Sequence, residues 1–254
     1  MNVIKVLKDS LKLLRKRPQL FLPKLTSALI SSSWLIYLFS LMQSGKVQAL
    51  AGFYLVTIPL ITLLGVYIPV LTAEMIRNRD REKLLRTSLV KSAGYWKRVL
   101  AMTLFMLLIL FLSSIPASIG TALLLRTGQI LFGVLGIAIS LTAILGVGFA
   151  IYFLPISVIS SNGFLSGLKE SASTSYSNSR EVVALMLFSF TLFAAAFATQ
   201  GALRGLGLAA FVIGRLISAT VTTYTFVLSP SYYIARKESS EEKGEREEKS
   251  GDDS

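Results

Sequence analysis

Arg215, Ser218, Thr222, Thr225 and Ser229 follow one another at intervals of three, four, three and four residues inside the apolar run LAAFVIGRLISATVTTYTFVLSP. In an α-helix those intervals bring all five onto one face. A guanidinium at the head of a hydroxyl stripe suits binding better than bond cleavage: it attracts an anion, and hydroxyls donate to it. A cation inside so apolar a segment is by default a functional suspect. Two readings are open. In one, Ser and Thr bond their own helix backbone and a neighbouring helix, while Arg215 reaches out to the nearer membrane surface. In the other, the stripe lines a hydrated cavity where Arg215 draws in an anion, for example a lipid phosphate. No carboxylate deep in the apolar runs neutralises Arg215, which favours the anion and disfavours a proton relay.

Other chemistries are excluded by what the chain lacks. It contains no Cys and no His. Disulfides, thiol nucleophiles and Ser-His-Asp or Cys-His units cannot be built, and zinc, haem and copper lose their usual ligands. No cofactor and no catalytic residue is expected, and the chain reads as a non-enzyme.

The elements that must position the stripe are legible from hydropathy. Of 254 residues 53% are apolar and the mean hydropathy is +0.63, with six apolar stretches at about 25–42, 49–73, 99–125, 130–159, 182–200 and 208–234. Each is near or above the ~20 residues that carry a helix across a bilayer. None alternates as a β-barrel strand does. The spacing therefore predicts an all-α polytopic membrane bundle over residues 1–235, with six transmembrane helices as three hairpins. The mixed-charge tail 236–254, RKESSEEKGEREEKSGDDS, has no apolar residue to bury and reads as disordered and cytoplasmic.

The net charge of +12 is unevenly placed. Lys5, Lys8, Lys12, Arg15, Lys16, Arg17 and Lys24 precede or open the first span, and eight Lys or Arg lie between Arg77 and Arg98. Lys169 and Arg180 follow the fourth span, whereas the other three loops hold one cation each, Lys46, Arg126 and Arg204. The positive-inside rule makes the basic loops cytoplasmic, with both termini inside a plasma membrane. Nucleic acid is not an expected partner, because topology alone accounts for the basic residues and no base-reading motif accompanies them. Anionic headgroups are expected at the basic face, and other membrane proteins are the remaining partner class.

A short motif recurs ahead of the odd-numbered spans. Leu7-Lys8-Asp9-Ser10 matches Leu168-Lys169-Glu170-Ser171, with Leu85-Arg86-Thr87-Ser88 as a weaker third copy. Pro69, Pro155 and Pro230 fall near the ends of the even-numbered spans, and Ser10 to Pro69 and Ser171 to Pro230 are the same distance apart. The chain thus reads as three pseudo-repeats, about 1–76, 77–159 and 160–235, each a surface helix, a span out and a span back. In the first surface helix Val3, Ile4, Leu7, Leu11 and Leu14 share one face and Lys5, Lys8, Lys12, Arg15 and Lys16 the other. That pattern predicts an amphipathic helix lying in the interface. Leu85, Leu89 and Trp96 suggest the same for the second, with Trp96 at headgroup depth. In the third, Leu165, Leu168, Ala172 and Tyr176 form a weak apolar face better suited to packing on protein.

These motifs carry a resemblance. LK-[DE]-S ahead of a span, after a P-I-S-V helix end, resembles a six-span family that includes the membrane domain of certain glycerophosphodiester phosphodiesterases and related uncharacterised prokaryotic membrane proteins. FLPISVISSNGFLSGLKESAST fits the family's P-x-x-V, turn and ALKxSW pattern from Pro155 through Ser171. The aromatic after the Lys is missing in all three copies, and these residues include no soluble phosphodiesterase domain. The resemblance implies a fold and a prokaryotic plasma membrane, and no catalysis.

Smaller features are given structural readings. Lys24 is expected to snorkel to the cytoplasmic surface, and Glu74 to pair with Arg77 on its own helix. Ala194, Ala198, Ala202 and the Gly201–Gly205 pair read as helix contacts. The expected function is that of a lipid-interacting or scaffold membrane protein. The alternative is a transporter or channel for a small or anionic solute or lipid, using the polar face of the sixth span.

Overall fold

The computed structural model describes residues 3–44, 47–203 and 206–251. Lys46, Arg204, Gly205 and the last three residues of the tail lie outside them. The fold is all-α, with no strand among the described residues. The helices are α1 (Val3–Lys16), α2 (Leu22–Gln43), α3 (Val47–Arg77), α4 (Leu84–Gly94), α5 (Trp96–Thr127), α6 (Ile130–Ala150), α7 (Leu154–Ser160), α8 (Phe164–Ser177), α9 (Ser179–Leu203) and α10 (Leu208–Gly251). Six segments are long and apolar enough to cross a membrane: Pro18–Gln43, Gly52–Arg77, Trp96–Thr127, Ile130–Ser160, Ser179–Leu203 and Leu208–Ser239. They fall where hydropathy places them.

The chain forms two compact units. One comprises Met1–Ser40, Ile68–Gly94 and Val183–Ser254, the other Leu41–Tyr67 and Tyr95–Val182. Each is drawn from separated stretches, so neither corresponds to one of the chain-order segments 1–76, 77–159 and 160–235.

In the first unit α1 packs on α10 and on a 3-10 turn, Pro18–Phe21. Pro18 ends α1, because a residue preceding proline is pushed out of the helical region, and Arg17 sits at φ −129°. The Tyr224 hydroxyl donates to the Leu7 carbonyl at 2.8 Å and fixes α1 along α10.

In the second unit the α5–α6 hairpin turns at Gly128, whose φ of 70° lets its N–H close the last turn of α5 on the Leu124 carbonyl. Pro116 interrupts the α5 ladder, and the N–H after it, that of Ala117, donates to Ser140 Oγ on α6.

The fourth span breaks between α6 and α7, and proline again supplies the reason. Pro155 has no N–H for the Ile151 carbonyl, so Leu154 N–H turns to it, at 2.9 Å. That frees the Ala150 carbonyl, which accepts from Ser171 Oγ of α8 at 2.9 Å. The other end of α7 is closed by Arg98 at the start of α5, whose Nη1 donates to the carbonyls of Val158 and Ser161, both at 2.7 Å. A cation on the exposed carbonyls of a helix end is favourable in both hydrogen bonding and dipole. Arg98→Ala should lower the unfolding free energy in detergent by about 2 kcal/mol, with Arg98→Lys intermediate. Thermal melts checked by circular dichroism test this, and an alanine variant melting with the wild type would refute it.

The three short helices share one burial register. α1 buries Val6, Ser10 and Leu14; α4 buries Leu84, Ser88 and Ser92; α8 buries Gly167, Ser171 and Ser175. The motif serine is central in each, and small side chains allow close approach. At Gly167 an added Cβ would lie 2.8 Å from Val158 Cα on α7. On α1, Leu14 is buried, and Ile4 and Leu11 are exposed. Two expectations change. Trp96 does not belong to α4; it opens α5 and is 59% exposed. On α8 Leu165 and Tyr176 are exposed, and the helix packs through its glycine and serines. On α8 close approach selects small residues for the inner face, where hydrophobicity picks Leu165 and Tyr176.

α10 continues past Arg236 to Gly251. Glu, Lys and Arg have good intrinsic helix propensity, so a charged stretch without apolar residues can still prolong a helix already nucleated.

Candidate functional site

The first unit contains a cavity of about 280 Å³ lined by α2, α9 and α10. α2 contributes Lys24, Ser27 and Ser31, one per turn, from the run LTSALISSS that otherwise reads only as a span. α10 contributes Arg215, Ser218 and Thr222, and α9 contributes Phe193, Phe197 and Gln200. The α9–α10 approach is close at Gly214, where a Cβ would lie 3.4 Å from Gln200 Cα.

Both cations are held by the wall. Arg215 Nη2 donates to Ser31 Oγ, and Ser31 in turn donates to the Ala28 carbonyl at 3.1 Å. Arg215 Nε is buried with no hydrogen-bond partner. Lys24 Nζ lies 5.0 Å from the centre of the Phe226 ring, a cation–π contact. No acidic side chain among the described residues lines the cavity, and neither cation has an ion-pair partner among them. Its charged groups are donors only and its hydroxyls and the Gln200 amide can donate, so it fits a ligand rich in negative oxygen acceptors. At ~30 Å³ per water the volume holds roughly nine waters, or one phosphate-sized group with part of its shell.

The five-residue stripe is divided by the structure. Arg215, Ser218 and Thr222 line the cavity, while Thr225 and Ser229 do not. Thr222 Oγ1 donates to the Ser218 carbonyl and Thr225 Oγ1 to that of Thr222, at 2.8 Å for the second. Ser229 is buried. The hydroxyls of Thr222 and Thr225 thus bond their own helix backbone, and the upper part of the stripe lines this cavity. Arg215 does not simply extend to the nearer surface, since Ser31 of α2 holds it.

Lys24 lines the cavity and lies against Phe226, a placement beside Arg215 that its position on its own helix does not indicate. The three- and four-residue spacing of Lys24, Ser27 and Ser31 is a second polar stripe that could have paired α2 with α10. Gln200 left no such signal.

Glu74, 1% exposed, has a structural setting. Asn78 Nδ2 donates to its Oε1 at 2.7 Å, Lys91 Nζ lies 3.8 Å from the same oxygen, and Lys91 donates to Asn78 Oδ1 at 2.8 Å. This triad ties α3 to α4, using partners that the spacing to Arg77 did not suggest. The alanines Ala194, Ala198 and Ala202 are exposed.

No protein-family model, curated protein or solved structure matches the chain.

On α1, Lys5, Lys8, Lys12, Arg15 and Lys16 are all exposed, and they divide into two groups. Lys8 and Arg15 flank the exposed Ile4 and Leu11, the arrangement of an interfacial helix. Lys5, Lys12 and Lys16 line a separate cleft.

Proposed function

We propose that this is a non-enzymatic, multi-pass protein of a prokaryotic plasma membrane that binds anionic phospholipid, the headgroup phosphate entering the cavity between α2, α9 and α10. The observation that carries the reading is the pair Lys24 and Arg215 facing one cavity with no acid in its described wall. Two unpaired cations in membrane-crossing helices are expensive, and a bound phosphate offsets that cost for both. The basic loops support cytoplasmic termini, and the exposed apolar pair on α1 between two cations supports contact with an anionic surface. The resemblance to the six-span family agrees with a membrane role without catalysis. The protein would hold lipid for, or present it to, other membrane components.

The test is lipid binding in nanodiscs of otherwise neutral lipid. Arg215→Gln should weaken binding of an anionic phospholipid by about tenfold, the value of one or two charge-assisted hydrogen bonds. Equal binding by wild type and variant would defeat the proposal. A transport reading has one observation of its own: the hydroxyls of Ser27, Ser31, Ser218 and Thr222 continue along both helices from the Lys24 level to Arg215. Anion or lipid flux in vesicles that Arg215→Gln abolishes would establish transport in place of holding.

A further inference from the structure

We infer that a second site, separate from the α2–α9–α10 cavity, binds the phosphate groups of a ligand in the cleft between α1 and the distal part of α10. The cleft encloses about 810 Å³, within the size range of small-molecule sites. Two independent observations point to a ligand there.

The first is a pair of orphaned hydroxyls. Ser10, 1% exposed, and Ser231 both line the cleft, and each Oγ is buried with no hydrogen-bond partner. Many helical hydroxyls here donate to a carbonyl one turn back, as Ser32, Thr62 and Thr103 do, whereas those of Ser10 and Ser231, like those of Ser88 and Ser175, do not. Ser10 and Ser231 are the two of these that line the cleft, where an entering acceptor oxygen would satisfy them. A buried hydroxyl without a partner is destabilising by itself, and an acceptor oxygen relieves it.

The second is charge. Lys12 pairs with Asp9 and Arg79 with Glu238, each at 3.9 Å, which neutralises those four groups. Lys5, Lys16 and Arg17 also line the cleft and have no ion-pair partner among the described residues. Against them stands one further acid, Asp80. Three free cations and two free donors facing one space match the oxygens of a phosphate-bearing group. A neutral ligand would leave the cations unused, and a cation would be repelled. Glu238 and Asp9 hold Arg79 and Lys12 back from the ligand, so an entering phosphate competes with them.

The phosphate can come from a soluble molecule or from a lipid headgroup, and two arms separate these sources. Full-length protein in neutral-lipid nanodiscs is titrated with inorganic pyrophosphate, and a parallel set carries phosphatidic acid in the bilayer without soluble phosphate. Binding in the first arm assigns a soluble ligand, and binding in the second alone assigns a headgroup. In whichever arm binds, Lys16→Ala with Arg17→Ala should weaken binding about tenfold, and Ser10→Ala a few-fold. Glu238→Gln should strengthen binding, because it releases Arg79 and removes a competing carboxylate. That gain is a readout that a misfolded variant cannot mimic. Both arms are run on the Lys24→Met, Arg215→Met background, which removes phosphatidic acid binding at the α2–α9–α10 cavity and leaves the cleft as the site read. No binding in either arm, or binding unaffected by both the Lys16–Arg17 and Glu238 variants, would overturn the inference.

Discussion

Replacing Gly136 by leucine should cost the protein about 3 kcal/mol or more of stability and force α5 away from α6. A Cβ at Gly136 would lie 2.4 Å from the Pro116 carbonyl oxygen and 3.0 Å from Gly120 Cα, and one at Gly120 would lie 2.4 Å from the Phe132 carbonyl oxygen. The obstructing atoms are backbone, so no rotamer change relieves the overlap; the helices themselves must separate. Separation would also break the Ala117–Ser140 bond, which sits one turn from the glycine pair. In lipid no hydrophobic force exists between helices to compensate, and close packing across small residues supplies much of the association. Gly146 is the control, because a Cβ there meets nothing within 4 Å. Gly146→Ala should be neutral or slightly stabilising, since glycine in a helix interior costs roughly 0.5–1 kcal/mol relative to alanine. Detergent-solubilised variants compared by thermal melts would show a large loss at 136 and none at 146. Equal melts would contradict the close crossing of α5 and α6 at the glycine pair.

The double substitution of Lys24 and Arg215 by methionine should do the reverse: stabilise the protein while abolishing its binding of anionic phospholipid. Insertion scales put a Lys or Arg at the centre of a membrane-crossing helix at ~2.5–3.5 kcal/mol, and Lys24 and Arg215, nearer the ends of theirs, each cost part of that. The Ser31 bond and the Phe226 contact offset only part of this. The two positive charges also face the same cavity. Methionine keeps most of the side-chain volume without the charge, and we expect a net gain of about 2 kcal/mol for the pair. Were the cations structural, like Arg98 on the end of α7 or Lys91 beside Glu74, removing them would lower stability. The direction of the melting shift therefore separates a functional role from an architectural one.

The residues explain why some of this was legible in sequence and some was not. Six spans were readable because a bilayer imposes a length and a composition that no other environment needs. The recurring serine was readable as a motif, and Ser10, Ser88 and Ser171 are all buried at the centre of their helices. Which face of those helices turns inward was not readable. On α8 hydrophobicity picks Leu165 and Tyr176, both of which stay exposed, because lipid accepts large apolar groups as readily as a protein interior does. The cavity was half legible. Arg215, Ser218 and Thr222 stood out on one helix, but pairing them with Lys24 and Ser31 requires knowing that α2 lies beside α10. Nothing local distinguishes that neighbour from another. The glycine pair at 120 and 136 was invisible for the same reason, since each residue acquires its meaning from the helix opposite.

The most direct measurement compares anionic phospholipid retained by wild type and by the Lys24→Met, Arg215→Met variant in nanodiscs of otherwise neutral lipid. The wild type should retain the lipid at concentrations where the variant, folded and melting at a higher temperature, retains at least about tenfold less. Equal retention by a folded variant would contradict the assignment of the cavity.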